Sequence, residues 1–242
     1  MNLIIDVGNT RVKAAVFEGH TLVYIYAFNK SRIISEVKKI IKNYKITLGI
    51  MSSVGLSISK KIEKLDELID FMVVSSKIET PFKNLYATPN TLGVDRIALV
   101  FGAVLKFPKQ NVLIIDAGTC ITFDFINKNA EYLGGAISPG IEMRYKSLHA
   151  FTSKLPLLEI NKPNNFIGNS TNESINSGIV NGVIQEIEGV IMLYIKEYLH
   201  LTVVLTGGDT NFLAKQLKSS IFANQNFLLE GLNEILIFNK NK

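Results

Sequence analysis

A short pattern that occurs twice constrains this chain more than any other feature of its sequence. Residues 2–10 read Asn-Leu-Ile-Ile-Asp-Val-Gly-Asn-Thr, and residues 112–120 read Val-Leu-Ile-Ile-Asp-Ala-Gly-Thr-Cys, at a constant offset of 110 residues. Each copy predicts an apolar strand that ends in a turn, and a second, alternating strand follows it. An offset near half of the 242 residues indicates a duplicated domain. The predicted domains are residues 1–109 and 110–242.

Alternating strands and helices in the first half predict an α/β layer architecture. Strands are expected at residues 3–6, 11–17, 21–28, 46–53 and 71–75, and helices at 33–44, 57–68 and 96–106. The first of these helices rests on the helical spacing of Ile33, Val37 and Ile40, with lysines on the opposite face. Residues 80–92 contain two prolines and are expected to form a loop.

The second half is expected to repeat this scheme. Strands are predicted at residues 112–116, 121–126, 132–137 and 202–205, and helices from Pro139, from 172 to 199 and from about 211. Pro139 is placed in a first helical turn because its missing N–H has no intrahelical partner there. Residues 228–238 close the chain.

The composition is that of a globular protein from a reducing compartment. Hydrophobic residues make up 47% of the chain and charged residues 19%, which is enough apolar material for a sizeable core. The single cysteine, Cys120, cannot form an internal disulfide, and the three histidines are too scattered for a zinc site. The N-terminus lacks the basic and apolar segments of a signal peptide. These features predict a cytoplasmic protein.

Neither a nucleic acid nor a membrane is expected as a partner. The net charge is +5, but the lysines between Lys38 and Lys64 interleave with Ile, Leu and Glu, as on the solvated faces of helices. The longest apolar run, Ile97 to Leu105, is far shorter than the ~20 residues that span a bilayer. The positive charge is compatible with anionic substrates.

The repeated turns are candidate phosphate sites. A P-loop is absent, because the stretch from Gly140 to Ser147 lacks its second glycine, and no G-x-G-x-x-G follows a strand. A turn with glycine, as at residues 6–10 and 116–119, exposes backbone N–H groups to a phosphate. The aspartate in each turn would repel a bare phosphate and so requires a cation, while Lys13 adds positive charge on the outgoing strand. The alternative is two ordinary hairpins whose Asp and Asn residues stabilise turns.

Asp95 and Arg96 follow Gly93 at a predicted helix start. In one interpretation Asp95 is a base for a hydroxyl group, and Arg96 binds a substrate carboxylate through two parallel N–H donors. An aspartate is a weak base for an alcohol. In phosphoryl transfer this suffices, because the reaction depends mainly on positioning the hydroxyl, whose proton is accepted late. In the other interpretation Asp95 is a helix N-cap, and the spacing alone does not separate the two.

Three glycine-containing segments are similarly ambiguous. Residues 134–140, 168–171 and 207–209 contain glycines that would admit a ligand close to the backbone. Each also fits a tight turn, and Thr171 also fits a helix cap.

Taken in order, these segments resemble one family, the type III pantothenate kinases of the actin-like, sugar-kinase and Hsp70 superfamily of ATPases. The matching segments are residues 6–13, Tyr86, 92–96, 116–119, 134–140, 168–171 and 206–209. They span nearly the whole chain, and as an ordered set they separate this family from sugar kinases and from Hsp70. Two departures, Cys120 where Ala is frequent and Ile97 where an aromatic residue is frequent, lie outside the proposed chemistry.

The resemblance implies a fold and a reaction. The fold would be two ribonuclease-H-like domains, a duplicated mixed sheet flanked by helices, with ATP in the cleft between them. The reaction would be the ATP-dependent phosphorylation of pantothenate to 4′-phosphopantothenate, the first step of coenzyme A biosynthesis, with magnesium accompanying ATP. The resemblance also implies a homodimer.

The resemblance further implies a role for each matching residue. Asp95 would accept the proton of the pantothenate hydroxyl, and Asp116 would bind a monovalent cation, potassium or ammonium. The residues expected to hold ATP are Asp6, Val7, Gly8, Asn9, Thr10, Arg11, Val12, Lys13 and Thr119. Those expected to hold pantothenate are Tyr86, Gly93, Val94, Asp95, Arg96 and Thr171.

Two other functions stay open at this point. One is a non-catalytic, nucleotide-binding regulatory protein of the same family, such as a transcriptional accessory factor. The joint presence of Lys13, Asp95, Arg96 and Asp116 argues against lost catalysis. The other is a kinase of another small hydroxy acid or sugar, because an arginine fork and a tyrosine do not define pantothenate uniquely.

Overall fold

A computed structural model describes residues 1–8, 11–53, 65 and 67–240 and divides the chain into two compact units. The first unit contains Met1–Pro108, Ala130–Tyr132 and Asn226–Lys242, and the second contains Lys109–Asn129 and Leu133–Gln225. The predicted helix at residues 57–68 lies largely outside the described residues. The C-terminal segment belongs to the first unit, whereas the sequence analysis assigned it to the second half.

The first unit is built on a mixed sheet of five strands. Its elements up to residue 106 are β1 (Asn2–Val7), β2 (Val12–Glu18), β3 (Thr21–Phe28), α1 (Ile33–Asn43), β4 (Leu48–Ser53), β5 (Asp70–Val73), the short β6 (Lys83–Asn84) and α2 (Val94–Lys106). The strand order is β3-β2-β1-β4-β5. β1 is central, antiparallel to β2 and parallel to β4.

One face of this sheet is covered by α1. Ile33, Val37 and Ile40, the residues whose spacing predicted the helix, are all buried. They pack with Leu3 and Ile5 of β1 in one apolar cluster. The helical prediction from apolar spacing is thus confirmed by burial of the same face.

The second unit contains the other sheet. Its elements are β7 (Asn111–Ala117), β8 (Cys120–Ile126), β9 (Glu131–Pro139), α3 (Ile141–Ala150), α4 (Thr171–Glu197), β10 (Leu201–Thr206), α5 (Thr210–Leu213) and β11 (Phe222–Ala223). The strand order is β11-β10-β7-β8-β9, and β6 pairs with Glu131 and Tyr132, the first residues of β9, which belong with the first unit. β7 is antiparallel to β8 and parallel to β10.

The prediction that Pro139 begins a helix is wrong. Pro139 is the last residue of β9, Gly140 has extended backbone angles, and α3 begins at Ile141. A proline lacks the N–H that strand pairing and helix interiors require. It is tolerated at the end of a strand as well as in the first turn of a helix, so its presence does not distinguish the two. The expected loop at residues 80–92 contains β6 and a 3₁₀ turn at Pro89–Thr91.

Helix α4 is long and apolar enough to cross a membrane by length and composition alone. Its residues Val183, Ile187 and Ile191 are buried in the apolar cluster of the second unit, and they form one face of the helix. The helix contains a π-helical segment at Ser177–Asn181.

The last helix, α6 (Phe227–Lys240), packs against α2 within the first unit. A Cβ atom on Gly102 of α2 would lie 3.1 Å from the Gly231 Cα, so glycine on both helices permits this close approach. The Asn233 side chain is fully buried, accepts a hydrogen bond from Asn2 and donates one to the Gly19 carbonyl. These contacts explain why the C-terminal segment joins the first unit. The two sheets with flanking helices confirm the predicted α/β class.

Candidate active site

Each unit has an aspartate at the carboxyl end of its central strand, and we call Asp6 and Asp116 the motif aspartates. In the first unit Asp6 lies opposite Lys13 of β2 and Ser52 of β4. In the second unit Asp116 lies opposite Thr122 of β8 and Thr206 of β10. Ligands in open α/β sheets bind outside the carboxyl ends of such strands.

Charged groups converge on the motif aspartate of the first unit. The pKa of Asp6 is raised from 3.8 to about 6, chiefly by burial and also by the Asp95 carboxylate, while the Lys13 ammonium and the Ser52 hydroxyl offset part of the rise. Lys13 and Asp95 are therefore both close enough to act on the Asp6 carboxylate. Two carboxylates that share a partly dry site favour a bound cation, which relieves their repulsion.

In the described part of the turn after Asp6, two side chains point into the core. The side chains of Val7 and Val12 are buried in the apolar core, so only their main-chain groups can face a ligand. Arg11 is exposed, and a Cβ atom on Gly8 would lie 3.3 Å from the Arg11 carbonyl. The predicted ATP-binding residues Asn9 and Thr10 lie outside the described residues.

The start of α2 holds the proposed acceptor residues. Gly93, not Asp95, is the N-cap residue, and Asp95 is the second residue of the helix. The Asp95 Oδ1 accepts a hydrogen bond from the Arg96 N–H at 2.8 Å and lies over Gly93, where a Cβ atom would collide with it. The N-cap interpretation of Asp95 is therefore wrong, because its carboxylate folds back from within the first turn. Val94, the first helical residue, is partly buried.

Arg96 and Tyr86 form one wall next to Asp95. Arg96 is 5% exposed, and its Cζ lies 5.5 Å from the centroid of the Tyr86 ring. Tyr86 in turn stacks on Tyr132, with ring centroids 6.2 Å apart and planes at 18°. A guanidinium held against an aromatic ring, as Arg96 is against Tyr86, can bind a carboxylate through two parallel N–H groups in a fixed geometry. Sequence reasoning missed Tyr132, since nothing in its alternating strand distinguishes it from a core residue.

Glycines hold the turn around the motif aspartate of the second unit. Gly207 has a φ of +97° and packs against the Asp116 Oδ1 and the Ala117 carbonyl so closely that no side chain would fit. Gly140 packs against the Gly118 carbonyl, and its N–H donates to the Thr119 carbonyl at 3.1 Å. Gly140 and Gly207, from two of the glycine-containing segments, thus allow close backbone packing at this turn.

Thr119 and Asp209 flank the same turn. The Thr119 side chain is exposed, so its hydroxyl is accessible to a ligand. The Asp209 N–H donates to the Ala117 carbonyl at 3.0 Å. Burial raises the pKa of Asp209, and the neighbouring Glu142 carboxylate adds to the rise.

Thr171 lies in a cavity of the second unit, at the start of α4. The cavity has a volume of about 970 Å³, and its polar lining includes Arg144, Ser147, Asn169 and Thr171. Arg144 donates to Glu186 at 2.6 Å and to the Pro139 carbonyl at 2.9 Å, so its guanidinium holds the cavity wall. The N-cap of α4 is Ser170, whose hydroxyl accepts from the Glu173 N–H, and the capping alternative for Thr171 is wrong.

The motif aspartates can hold cations by the chemistry of their surroundings. Asp6 shares its site with a second carboxylate, and Asp116 lies opposite Thr206, while Thr122 on its other side donates its hydroxyl hydrogen to Asp124. Carboxylate and hydroxyl oxygens are the ligands that hard cations prefer. Among the described residues no cluster of three His, Cys, Asp or Glu could hold a metal on its own. Such cations would therefore be shared with a ligand or water.

Comparisons with known proteins point to one family. The type III pantothenate kinase family matches residues 2–192. A type III pantothenate kinase of Flavobacterium johnsoniae is 47% identical over 235 residues, which cover 97% of this chain and 96% of that protein. One from Christiangramia forsetii is 49% identical over 241 residues, or 99% of each chain.

Solved structures show the fold. A Campylobacter jejuni protein whose description proposes a Baf family transcriptional activator has a TM-score of 0.67 at 22% identity, covering 99% of this chain and 100% of that one. A glucokinase from an Antarctic psychrotroph has a TM-score of 0.55 at 12% identity, with 98% of each chain covered. These likenesses show the fold class, two ribonuclease-H-like domains of the actin-like kind. Within that class, the chain belongs to the type III pantothenate kinase family.

Proposed function

We propose that this protein transfers the terminal phosphoryl group of ATP to the hydroxyl of pantothenate, with Asp95 as the proton acceptor. Family membership supports the reaction, which produces 4′-phosphopantothenate in coenzyme A biosynthesis. The observation that carries the residue assignment is the convergence of Asp6, Lys13 and Asp95 at one strand end. Phosphoryl transfer needs positioned charge more than covalent chemistry, and this cluster supplies it.

The phosphate side of the site is residues 6–13. The N–H groups of the turn, with Gly8 at its start, would face the phosphates, and the Lys13 ammonium would balance their charge. Asp6 would hold the magnesium ion that accompanies ATP, directly or through its water shell. A bound cation supplies charge neutralisation at the transferred group. Asn9, Thr10 and Arg11 complete this proposed segment.

The acceptor side of the site is the start of α2. Arg96 would hold the pantothenate carboxylate by two parallel N–H donors, with Tyr86 fixing the guanidinium. Gly93 leaves room for the Asp95 carboxylate to turn back over the helix end. Asp95 would then orient the substrate hydroxyl and accept its proton late in the transfer. Val94 would contribute its backbone.

The second unit would contribute a cation and further contacts. Asp116 would hold potassium or ammonium, and the exposed Thr119 hydroxyl would donate to a phosphate. Thr171 would contact pantothenate from a cavity whose volume, about 970 Å³, lies in the range of small-molecule sites.

A homodimer in the cytoplasm completes the proposal. Phe166 and Ile167, neighbours in the sequence of the second unit, are 83% and 78% exposed, and Phe151 is 89% exposed, so large apolar side chains are available for an interface. Light scattering coupled to size-exclusion chromatography should give twice the mass of 26.9 kDa. A mass of one chain at micromolar concentration would exclude the dimer.

The test of the reaction is release of ADP from purified protein with ATP, magnesium, pantothenate and potassium or ammonium. Turnover is expected only when pantothenate is present, and mass spectrometry should find the phosphorylated product. ATP binding without turnover would instead indicate a binding protein. A much higher specificity constant for another hydroxy acid or sugar would reassign the substrate.

A further inference from the structure

Two buried hydroxyl groups lie beside the motif aspartates. Ser52 and Thr206 are 0% and 1% exposed, and neither side-chain oxygen has a hydrogen-bond partner in the described part of the chain. A buried hydroxyl without a partner costs free energy, and proteins keep such groups where a water or an ion completes the bonding.

The two hydroxyls occupy the same place in the two sheets. Ser52 lies opposite Asp6 in the parallel pair β1–β4, and Thr206 lies opposite Asp116 in the parallel pair β7–β10. Residues directly opposite one another on neighbouring strands point to the same face of the sheet. The Ser52 oxygen has no partner in full hydrogen-bond geometry, yet its hydroxyl is close enough to the Asp6 carboxylate to lower the pKa of Asp6 as a hydrogen bond would. Each motif aspartate therefore has a buried hydroxyl at its side.

The neighbour on the other side of each motif aspartate differs between the units. Asp6 lies opposite Lys13 on the antiparallel strand β2, and the ammonium group acts on the Asp6 carboxylate. The corresponding position opposite Asp116 on β8 is Thr122, whose hydroxyl donates to Asp124 at 3.1 Å. The first unit thus contains a built-in monovalent cation at a position where the second unit has a neutral side chain.

We propose that the Thr206 hydroxyl is a ligand of the monovalent cation at Asp116, and that this cation takes the place that the Lys13 ammonium has in the first unit. This proposal rests on the proposed function, which puts potassium or ammonium at Asp116. The hydroxyl oxygen would coordinate potassium or accept a hydrogen bond from ammonium, and the carboxylate supplies the charge. Gly207 itself has no side chain, and its backbone lies close to the Asp116 Oδ1 at this strand end.

The test of the ligand is the response of thermal stability to potassium. Wild-type protein with magnesium and a non-hydrolysable ATP analogue is unfolded in mixtures of KCl and choline chloride at constant ionic strength. Its midpoint temperature should rise with KCl to a plateau. Thr206→Val should raise the half-saturating KCl concentration by about 10-fold to 100-fold, the range for losing a polar bond to a charge. The half-saturating KCl concentration of Thr206→Ser should stay within about threefold of the wild-type value, because serine keeps the oxygen ligand.

Two control measurements separate a ligand from a structural residue. Thr202→Val removes another hydroxyl from β10, one that donates to Gln110 at 2.6 Å, and it should leave the half-saturating KCl concentration unchanged. Without potassium, Thr206→Val should unfold at the same temperature as wild type or higher, since its hydroxyl has no partner to lose. A wild-type KCl response in Thr206→Val would overturn the proposal.

The test of the location is a lysine placed opposite Asp116. Thr122→Lys should remove the KCl response, because its ammonium would occupy the cation position, while Thr122→Met of similar length should keep it. A full KCl response in Thr122→Lys would overturn the stated location. A wild-type protein without any KCl response, yet with ADP release on pantothenate, would overturn this proposal and the cation site while the kinase reaction stands.

Discussion

The two motif aspartates occupy matching strand ends, yet their surroundings differ in kind. Asp6 lies among charged groups, with Lys13 opposite it and Asp95 close by. Asp116 lies among glycines and hydroxyls, with Gly207 against its Oδ1 and Thr206 opposite it. The strand and its aspartate are thus alike in the two units, and the residues around them give the two copies different chemistry.

This difference has a physical cause. Charges gathered in a partly dry site perturb one another, which suits a site that must handle phosphate and a proton. Glycine packing fixes a carboxylate without adding charge, which suits a site that must hold one cation in one geometry. The predictions below test whether the copies are specialised in this way.

The largest expected effect is that of Asp95→Asn in the charged site. Turnover should fall by about 10²-fold to 10⁴-fold, the usual size of a general-base loss, while ATP binding stays close to wild type. Steady-state ADP release and calorimetry of ATP binding measure the two quantities. Asp70→Asn, an exposed carboxylate paired with Lys240 in the same unit, is the matched control and should keep wild-type turnover. Near wild-type turnover of Asp95→Asn would leave this carboxylate a purely structural role.

Asp6→Asn should make the empty protein more stable at neutral pH. The folded pKa of about 6 exceeds the ordinary 3.8, so the folded state loses stability as pH rises between these values. Above pH 6 the amide of the variant removes this penalty, so its free energy of unfolding should exceed that of wild type by up to about 3 kcal/mol. Below pH 4 the free energies of unfolding of the two proteins should be equal. Denaturant unfolding at several pH values measures it. A variant that is less stable than wild type at pH 7.5 would contradict the charged-site description.

Arg96→Lys should weaken acceptor binding without changing nucleotide binding. Lysine keeps the charge but loses the two parallel donors, so KM for pantothenate should rise by about 10-fold to 100-fold. The KM for ATP should stay within about twofold. Arg32→Lys, in the exposed turn before α1, is the control. If Arg96→Lys and Arg32→Lys gave the same KM for pantothenate, binding of the pantothenate carboxylate by Arg96 would be excluded.

The effect of narrowest scope is expected for Asp116→Ala in the glycine-packed site, because it should appear only in the response to potassium. The potassium concentration for half-maximal activity should rise by at least the ~10-fold that a metal site loses with a supporting group, since the carboxylate is itself a proposed ligand. Asp95→Asn should leave this concentration unchanged, because its unit has no part in the proposed cation site. An Asp116→Ala protein with wild-type potassium dependence would remove Asp116 from that site.

Much of the fold was predictable because apolar periodicity reports burial directly. The strand at Thr21–Phe28 has the predicted bounds, and α1 differs from its prediction by one residue at its end. Pro139 was misplaced because a proline at a boundary fits a strand end as well as a helix start. β6 and β11, of two residues each, are too short to leave a periodic pattern.

The candidate site was predictable only where its residues are adjacent in sequence. The segments around Asp6, Asp95 and Asp116 were each found from local patterns or from the family resemblance. Tyr132 and Ser52 were not, because each reaches the site through strand pairing with a distant segment. A hydroxyl within an apolar strand gives no local signal of its neighbour.

The sequence by itself determined that the strand, aspartate and glycine turn occur twice, because identical apolar patterns fold into the same local structure. The tertiary structure decided what lies beside each aspartate. At the constant offset Lys13 would correspond to Phe123, but the residue opposite Asp116 is Thr122. The second hairpin closes between Ala117 and Ile121 and is one residue shorter than the first, which closes between Val7 and Val12. Side chains alternate between the two faces of a strand. A hairpin that is one residue shorter therefore moves each residue of the second strand to the opposite face from its counterpart in the first unit.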